Sequence, residues 1–219
     1  MPFLDDGFEI IENIISIAEI DSITHEMQGL EWNGGGIRNA EKKLTSVMKL
    51  IESEKFKTLA STYLPGRANF VRAILFIKSI ENNWLVTWHQ DKTVALSRKI
   101  YDPGWGSWSQ KDGVLHAQPP SSVLEEMITF RVNLDESTLQ NGCLRLIPKS
   151  HKEGIMSQSE IDSYSKLHTA VNCEAPAGSA LVMRPHVLHA SSKAQAAQPR
   201  RVLHLEFSSY NLPNGAAWA

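Results

Sequence analysis

The 219 residues carry 42% apolar and 21% charged side chains, the balance of a soluble globular chain long enough for one domain with a substantial core. A formal net charge of −2 gives no electrostatic reason to expect nucleic acid or an anionic membrane as a partner. No stretch approaches the roughly 18 consecutive apolar residues of a membrane span, and the acidic opening "MPFLDDGFEI" lacks the basic start of a signal peptide, so a cytoplasmic protein is expected.

The N-terminal third reads as helical. In "SIAEIDSITHEMQGL" (16–30), Ile17, Ile20, Ile23 and Met27 recur at the three- and four-residue steps of one helix face. The run 39–64 repeats that pattern with Leu44, Val47, Met48 and Ile51, and "WNGGGIRN" between the two reads as a glycine turn without P-loop spacing. From residue 65 the character changes to short alternating or β-branched runs parted by Gly, Pro and Asn: "ANFVRAILFIKS", "NWLVTWHQDKTVAL", "MITFRVNLDES", "GCLRLIPKS", "GSALVMRPHVLHASS" and "RRVLHLEFSS". One further helix is predicted over 157–168, where Ser157 can cap and Glu160 lies in the first turn. Strands joined by turns rather than by regular helices point to an antiparallel barrel or sandwich. With no repeat, linker or low-complexity tract, residues 1–219 form a single domain in this reading. Cys143 and Cys173 have no metal-ligand spacing and read as ordinary reduced thiols.

Three polar groups interrupt the strands. In "WHQDKT" (88–93), His89 and Asp91 share one side of a strand with Thr87 and Thr93, and Trp84, Val86 and Trp88 take the other. "RPHVLHASS" (184–192) offers His186 and His189, whose odd spacing sends them to opposite sides, so one of the two is expected in a lumen. In "PRRVLHLEF" (199–207), Leu203, Leu205 and Phe207 suit packing on helices, which turns Arg200, His204 and Glu206 inward. A buried guanidinium is costly without an anion, and Arg binds carboxylates bidentately, so a small carboxylate is a fitting partner. Two imidazoles and one carboxylate on one face of an octahedral metal leave three positions open, the facial triad of non-haem Fe(II) oxygenases. A bidentate 2-oxo acid and O₂ can fill those positions, with the Arg on the distal carboxylate of the acid.

With these residues in view, the sequence resembles the phytanoyl-CoA dioxygenase-like family of Fe(II)/2-oxoglutarate-dependent oxygenases. The resemblance runs from "DDGFEIIENIIS" through "WHQD" and "NGCLRLIPKSHKEG" to "HVLHASS" and "RRVLHLEF". It departs at Lys149, which stands where the family pattern has Gly. It implies a mainly β fold with flanking α-helices, a double-stranded β-helix (a jelly-roll, cupin-like barrel) with an N-terminal helical layer. It also implies His89, Asp91 and His189 as catalytic iron ligands, and Arg200, eleven residues past His189, as the 2-oxoglutarate anchor assisted by Ser191; Arg201 stays open as the alternative anchor. His186 has no counterpart, and His151 falls in a loop position where a structural role is expected. The implied activity uses Fe(II), 2-oxoglutarate and O₂ to hydroxylate a small molecule, releasing succinate and CO₂. A carboxylate at Asp91 favours hydroxylation over halogenation, because related halogenases carry a small residue there.

The long segment 97–122, "SRKIYDPGWGSWSQKDGVLHAQPPSS", reads either as a lid, with Tyr101, Trp105 and Trp108 over a substrate, or as a surface loop stapled by its aromatics. Three other readings stay open: a cupin-type oxygenase independent of 2-oxoglutarate, a Zn hydrolase using the same His/His/Asp set, and a non-catalytic binding module. Substrate identity and oligomeric state are not legible in the sequence.

Overall fold

In the computed structural model, which describes residues 2–32, 34–195 and 199–219, a short helix α1 (Pro2–Asp6) leads into strand β1 (Phe8–Ile11) and helix α2 (Ile17–Met27). Ser16 caps α2 in a reciprocal box: its side chain accepts from the Glu19 N–H, and the Glu19 carboxylate accepts from the Ser16 N–H. Strand β2 (Gly36–Arg38) follows, then α3 (Ala40–Lys43), α4 (Thr45–Glu52) and α5 (Glu54–Tyr63). The single helix expected over 39–64 is therefore three. Leu44 and Ser53 adopt extended backbone, and Ser53 caps α5 by accepting from the Phe56 N–H. Apolar spacing carries across such breaks unchanged, which is why periodicity alone did not reveal them.

The strands that follow are β3 (Asn69–Lys78), β4 (Val86–His89), β5 (Val94–Leu96), β6 (Gly106–Lys111) and β7 (Val114–Gln118). Helix α6 (Ser121–Glu125) precedes β8 (Met127–Asn133) and β9 (Leu144–Leu146), and a 3₁₀ turn covers Ser150–Glu153. Helix α7 (Gln158–Leu167) starts at the Ser157–Glu160 capping box, as its sequence indicates. Then come β10 (Val171–Asn172), β11 (Ala180–Met183), β12 (His189–Ser191) and β13 (Arg200–Ser208).

Six strands form the major sheet in the order β1-β11-β8-β13-β3-β2, and four form the minor sheet β10-β9-β12-β4. All named pairings in both are antiparallel. Lumenal residues of the two sheets line a common cavity, the closed-over arrangement of a double-stranded β-helix. The outer face of the major sheet carries Ala73, Leu75, Phe130, Val132, Leu203, Leu205 and Phe207, buried in one cluster with Ile23, Val47, Leu50, Phe56 and Ala60 of the helices. Each of the larger of those side chains contributes about 1.5–3 kcal/mol by leaving water, the alanines less. The fixed outer parity of β13 is what turns Arg200, His204 and Glu206 inward.

Residues 97–122 are not a structureless loop. β5, β7 and β6 make a three-stranded sheet, and Trp105 and Trp108 pack against a second core with Val94, Leu96, Ala117 and Met127. Tyr101 stays exposed at 88%. None of the three aromatics lines the central cavity, so of the two readings of this segment the stapled one describes Trp105 and Trp108, and neither describes Tyr101. Among the described residues, no helix is long and apolar enough to cross a membrane.

Candidate active site

His89 ends β4 and His189 begins β12, and the two are direct partners across the minor sheet. Their rings lie 4.1 Å apart, centre to centre. Asp91 joins them from the irregular segment between β4 and β5, with carboxylate oxygens 3.7 Å from His89 Nε2 and 3.6 Å from His189 Nε2. Each imidazole donates Nδ1–H to a main-chain carbonyl, His89 to Thr87 and His189 to Val187, both at 2.9 Å. Those bonds fix the tautomer and leave both Nε2 lone pairs facing the carboxylate. One donor atom from each residue lies within 4.8 Å of the others, and the two carboxylate–imidazole separations fall inside the roughly 4 Å that two metal–ligand bonds of about 2 Å can span. The donor set fits a divalent metal.

Local structure holds this cluster. The Asp91 N–H donates to the Pro185 carbonyl at 2.9 Å. Gln90, the residue between His89 and Asp91, points away from them and is buried. Its amide donates to Gly154 O and His186 O, and its carbonyl oxygen accepts from the Met156 N–H. Strict alternation does not survive in β4. His189 pairs with His89 but Ser191 pairs with Val86, a register shift in which a stretch of β4 gains one residue on β12. Trp84 and Val86, expected on the opposite side from His89, therefore line the same cavity, whereas Trp88 turns outward under Arg145.

Electrostatics suit ligation. Burial pushes the His189 imidazole down to about 3, which keeps it neutral, the form that binds metal. Burial opposes ionisation of Asp91, but the surrounding imidazoles of His189, His204 and His89 and the Arg72 guanidinium outweigh it, holding the carboxyl well below its usual range.

The cavity beside the cluster measures about 240 Å³. At its other end lie Lys78, Ser191 and Arg200, with Lys78 and Arg200 cross-strand partners on β3 and β13. Lys78 Nζ donates to Ser191 Oγ and to Ser192 O, both at 2.8 Å, and Arg200 Nε donates to Asn141 O at 3.3 Å. Burial and the nearby Arg200 lower the Lys78 ammonium to about 8, and burial lowers Arg200 to about 10. Neighbouring carboxylates are engaged elsewhere: Glu206 binds Arg72 in a fork at 2.7 and 2.8 Å, and Asp135 binds Arg201. Arg201 also donates to Thr24 Oγ1 at the helical layer, so of the two adjacent arginines only Arg200 reaches the cavity. Midway along the wall, Arg131 donates to His204 Nδ1 at 3.0 Å, and His204 Nε2 donates to Glu206 at 2.9 Å.

Lys78, Arg131 and Arg72 were missed in the sequence. The signal was present, since a charged residue inside an otherwise apolar strand must find a polar interior or a partner. His186 lies outside the cluster, its ring 6.1 Å from that of His151, beside the 3₁₀ turn.

A β-barrel with two imidazoles and a carboxylate converging at one end of its cavity is the architecture of the non-haem oxygenase class. The sequence matches the phytanoyl-CoA dioxygenase (PhyH) family over residues 3–202, and the chain belongs to that family. No curated protein matches it significantly in sequence. Among solved structures it is similar to AviO1 from Streptomyces viridochromogenes Tue57, at 18% identity and TM-score 0.72 over 97% of this chain and 94% of that one. It is also similar to SnoN, a non-heme alpha ketoglutarate dependent epimerase from nogalamycin biosynthesis (14%, TM-score 0.70, 99% and 82% covered). EctD from S. alaskensis with bound Fe is a third (16%, TM-score 0.71, 94% and 74% covered). The family resemblance and the jelly-roll fold expected from the sequence are both borne out. Iron and 2-oxoglutarate, the cofactors the sequence implies, are the groups associated with such relatives.

Proposed function

We propose that this protein is an Fe(II)- and 2-oxoglutarate-dependent dioxygenase that hydroxylates a small molecule, with succinate and CO₂ as coproducts. His89, Asp91 and His189 hold the metal, and Arg200 anchors the distal carboxylate of the cosubstrate with Lys78 and Ser191 beside it. The observation that carries this reading is one cavity with a metal-ligand cluster at one end and two buried cations free of carboxylate partners at the other. His189 and Ser191 are two residues apart on β12, about 7 Å along a strand, which suits a five-carbon dicarboxylate stretched between the two ends.

When bound, the metal and 2-oxoglutarate supply the oxidising chemistry. The chain supplies position. Main-chain carbonyls of Thr87 and Val187 hold the two imidazoles with Nε2 forward. Arg200 and Lys78 bind and orient the dianion, whose charge relieves their mutual repulsion. Ile74, Phe76, Val86 and Leu144 line the walls between and exclude water from the reacting end. Asp91 supplies a carboxylate where halogenation requires a vacant position for halide, which supports hydroxylation. A Zn hydrolase or a 2-oxoglutarate-independent cupin has no evident use for two unpaired buried cations.

The test needs no substrate. Fe(II) and 2-oxoglutarate added anaerobically to the metal-free protein are expected to give a weak visible charge-transfer band that needs both components and is absent in Arg200→Ala. Absence of the band together with tight Zn(II) binding would instead support the hydrolase.

A further inference from the structure

The lumenal face of the major sheet extends beyond the central cavity. β2 adds an edge strand in which Arg38 stands opposite Ile74 and Gly36 opposite Phe76. Directly paired residues project to the same side of a sheet, so Arg38 continues the row that runs Arg131, His204, Ile74 across β8, β13 and β3. A second cavity of about 290 Å³ opens there, sharing Ile74, Phe76 and Trp84 with the first and adding Gly35, Gly36 and Arg38. The glycines make the close approach possible. A Cβ on Gly35 would meet the Trp84 indole at 3.2 Å, and one on Gly36 would meet the Leu75 carbonyl oxygen at 2.0 Å.

The chamber has aromatic walls and one charge. Among the described residues that line it, Arg38 alone is ionisable. Its partner is Asp112, at the tip of the β6–β7 hairpin, through one 3.4 Å contact between two half-exposed side chains. A guanidinium has five donors in a fork shaped for a carboxylate, and most of that capacity is unused. A pair so exposed is weak and readily exchanged. Asp112 thus shows which chemical group Arg38 accepts.

We propose that the outer chamber binds the substrate, and that the substrate is a small carboxylate with an apolar or aromatic body. Its carboxylate takes the place of Asp112 on Arg38, its body lies between Phe76 and Trp84, and its far end points toward His89 and Asp91. The proposal rests on the oxygenase reading for the identity of the reacting end. Lys78 and Arg200 serve the cosubstrate; Arg38, on the edge strand, pairs with Ile74 four residues along β3 from Lys78, so the two acids bind different cations.

The test uses protein loaded with Zn(II), a redox-inert substitute, and 2-oxoglutarate, with saturation-transfer NMR as the readout. The probes are 3-phenylpropanoate, its uncharged amide and phenyl phosphate. The acid is expected to bind about tenfold more tightly than the amide, the worth of one charge-assisted pair. Arg38→Gln is expected to erase that preference without changing 2-oxoglutarate affinity, and Asp112→Asn to tighten acid binding severalfold. Equal binding of acid and amide, no binding of the acid, a preference that survives Arg38→Gln, or displacement of 2-oxoglutarate by the acid would each overturn the assignment. Tighter binding of phenyl phosphate than of the acid would overturn the carboxylate class. Titration of 2-oxoglutarate into the same Zn(II) protein separates the two readings: its failure tells against the oxygenase, whereas intact cosubstrate binding with no acid preference tells against the chamber alone.

Discussion

His186 and His189 lie three positions apart, and the turn between them sends the two imidazoles into different surroundings. His189 faces Asp91 across 3.6 Å, while His186 is buried beside His151 and Arg184. Substituting Asp91 or His189 by Ala is expected to abolish iron-dependent succinate formation from 2-oxoglutarate, and His186→Ala to keep most of it; the reverse order would move the ligand assignment to His186. The contribution of His186 is to stability instead. Burial, helped by the neighbouring His151 and Arg184, lowers its imidazole to about 4 from an ordinary 6.5. The unfolded chain therefore takes up a proton below about pH 6.5 that the folded chain refuses, so this share of stability is intact above that pH and declines as pH falls toward 4. By about pH 5 the loss amounts to roughly 2 kcal/mol. Denaturant titrations of metal-free protein at about pH 7 and pH 5 should show wild type losing about that much more than His186→Asn; equal losses would rule the His186 contribution out. The sequence could say only that the two histidines face different ways. Which one turns inward depends on a tight turn at 185–187, and the family pattern supplied that choice.

At the scale of elements, strand parity was legible on β13 and illegible on β4. Leu203, Leu205 and Phe207 declare the outer face of β13, so Arg200 turns inward and Arg201 goes to Asp135. Arg200→Ala is accordingly expected to weaken 2-oxoglutarate binding about 10- to 100-fold by calorimetry, whereas Arg201→Ala changes it less than about threefold. Similar effects from both would mean that the parity argument misassigns the anchor. On β4 a register shift puts Val86 and His89 on one side, and nothing in "LVTWHQD" marks it, because a bulge is settled by pairing with β12 rather than by local sequence. The lysine that departs from the family pattern is informative in the same way. Lys149 adopts φ of 68°, the left-handed region that favours Gly, at the start of the 3₁₀ turn carrying His151. Relief of that backbone outweighs loss of an exposed contact to Asp5, so Lys149→Gly should raise the melting temperature by about 2 °C. An unchanged or lower value would show that the Asp5 contact matters more.

Across the whole molecule, charge is segregated. The chain is slightly acidic, −2 overall, yet its cavity holds Lys78, Arg131 and Arg200 with Arg72 already paired to Glu206. The barrel itself was legible because its strands alternate and its helices face one sheet, both local patterns. The interior charge was not, because it depends on three strands distant in sequence, β3, β8 and β13, meeting in one wall. Concentrating like charges inside a barrel costs stability in the absence of ligand, and that cost is testable. Arg200 is buried, carries one 3.3 Å bond to Asn141 O, and is held down to about 10 by burial. Replacing such a buried charge with an apolar side chain of similar length removes the desolvation penalty and the repulsion of Lys78. Arg200→Met is therefore expected to raise the stability of ligand-free protein by about 1–2 kcal/mol. Ligand reverses the order. In wild type, 2-oxoglutarate with Zn(II) at about a hundred times its dissociation constant adds about 2.7 kcal/mol, or several degrees in melting temperature for a chain of this length, while Arg200→Met gains only what the metal alone supplies. Thermal melts of the two proteins with and without 2-oxoglutarate decide the matter. If ligand-free Arg200→Met melts below wild type, Arg200 is a structural clamp on the Asn141 loop; if it melts above and no longer responds to 2-oxoglutarate, the cation is kept in the barrel for the dianion it binds.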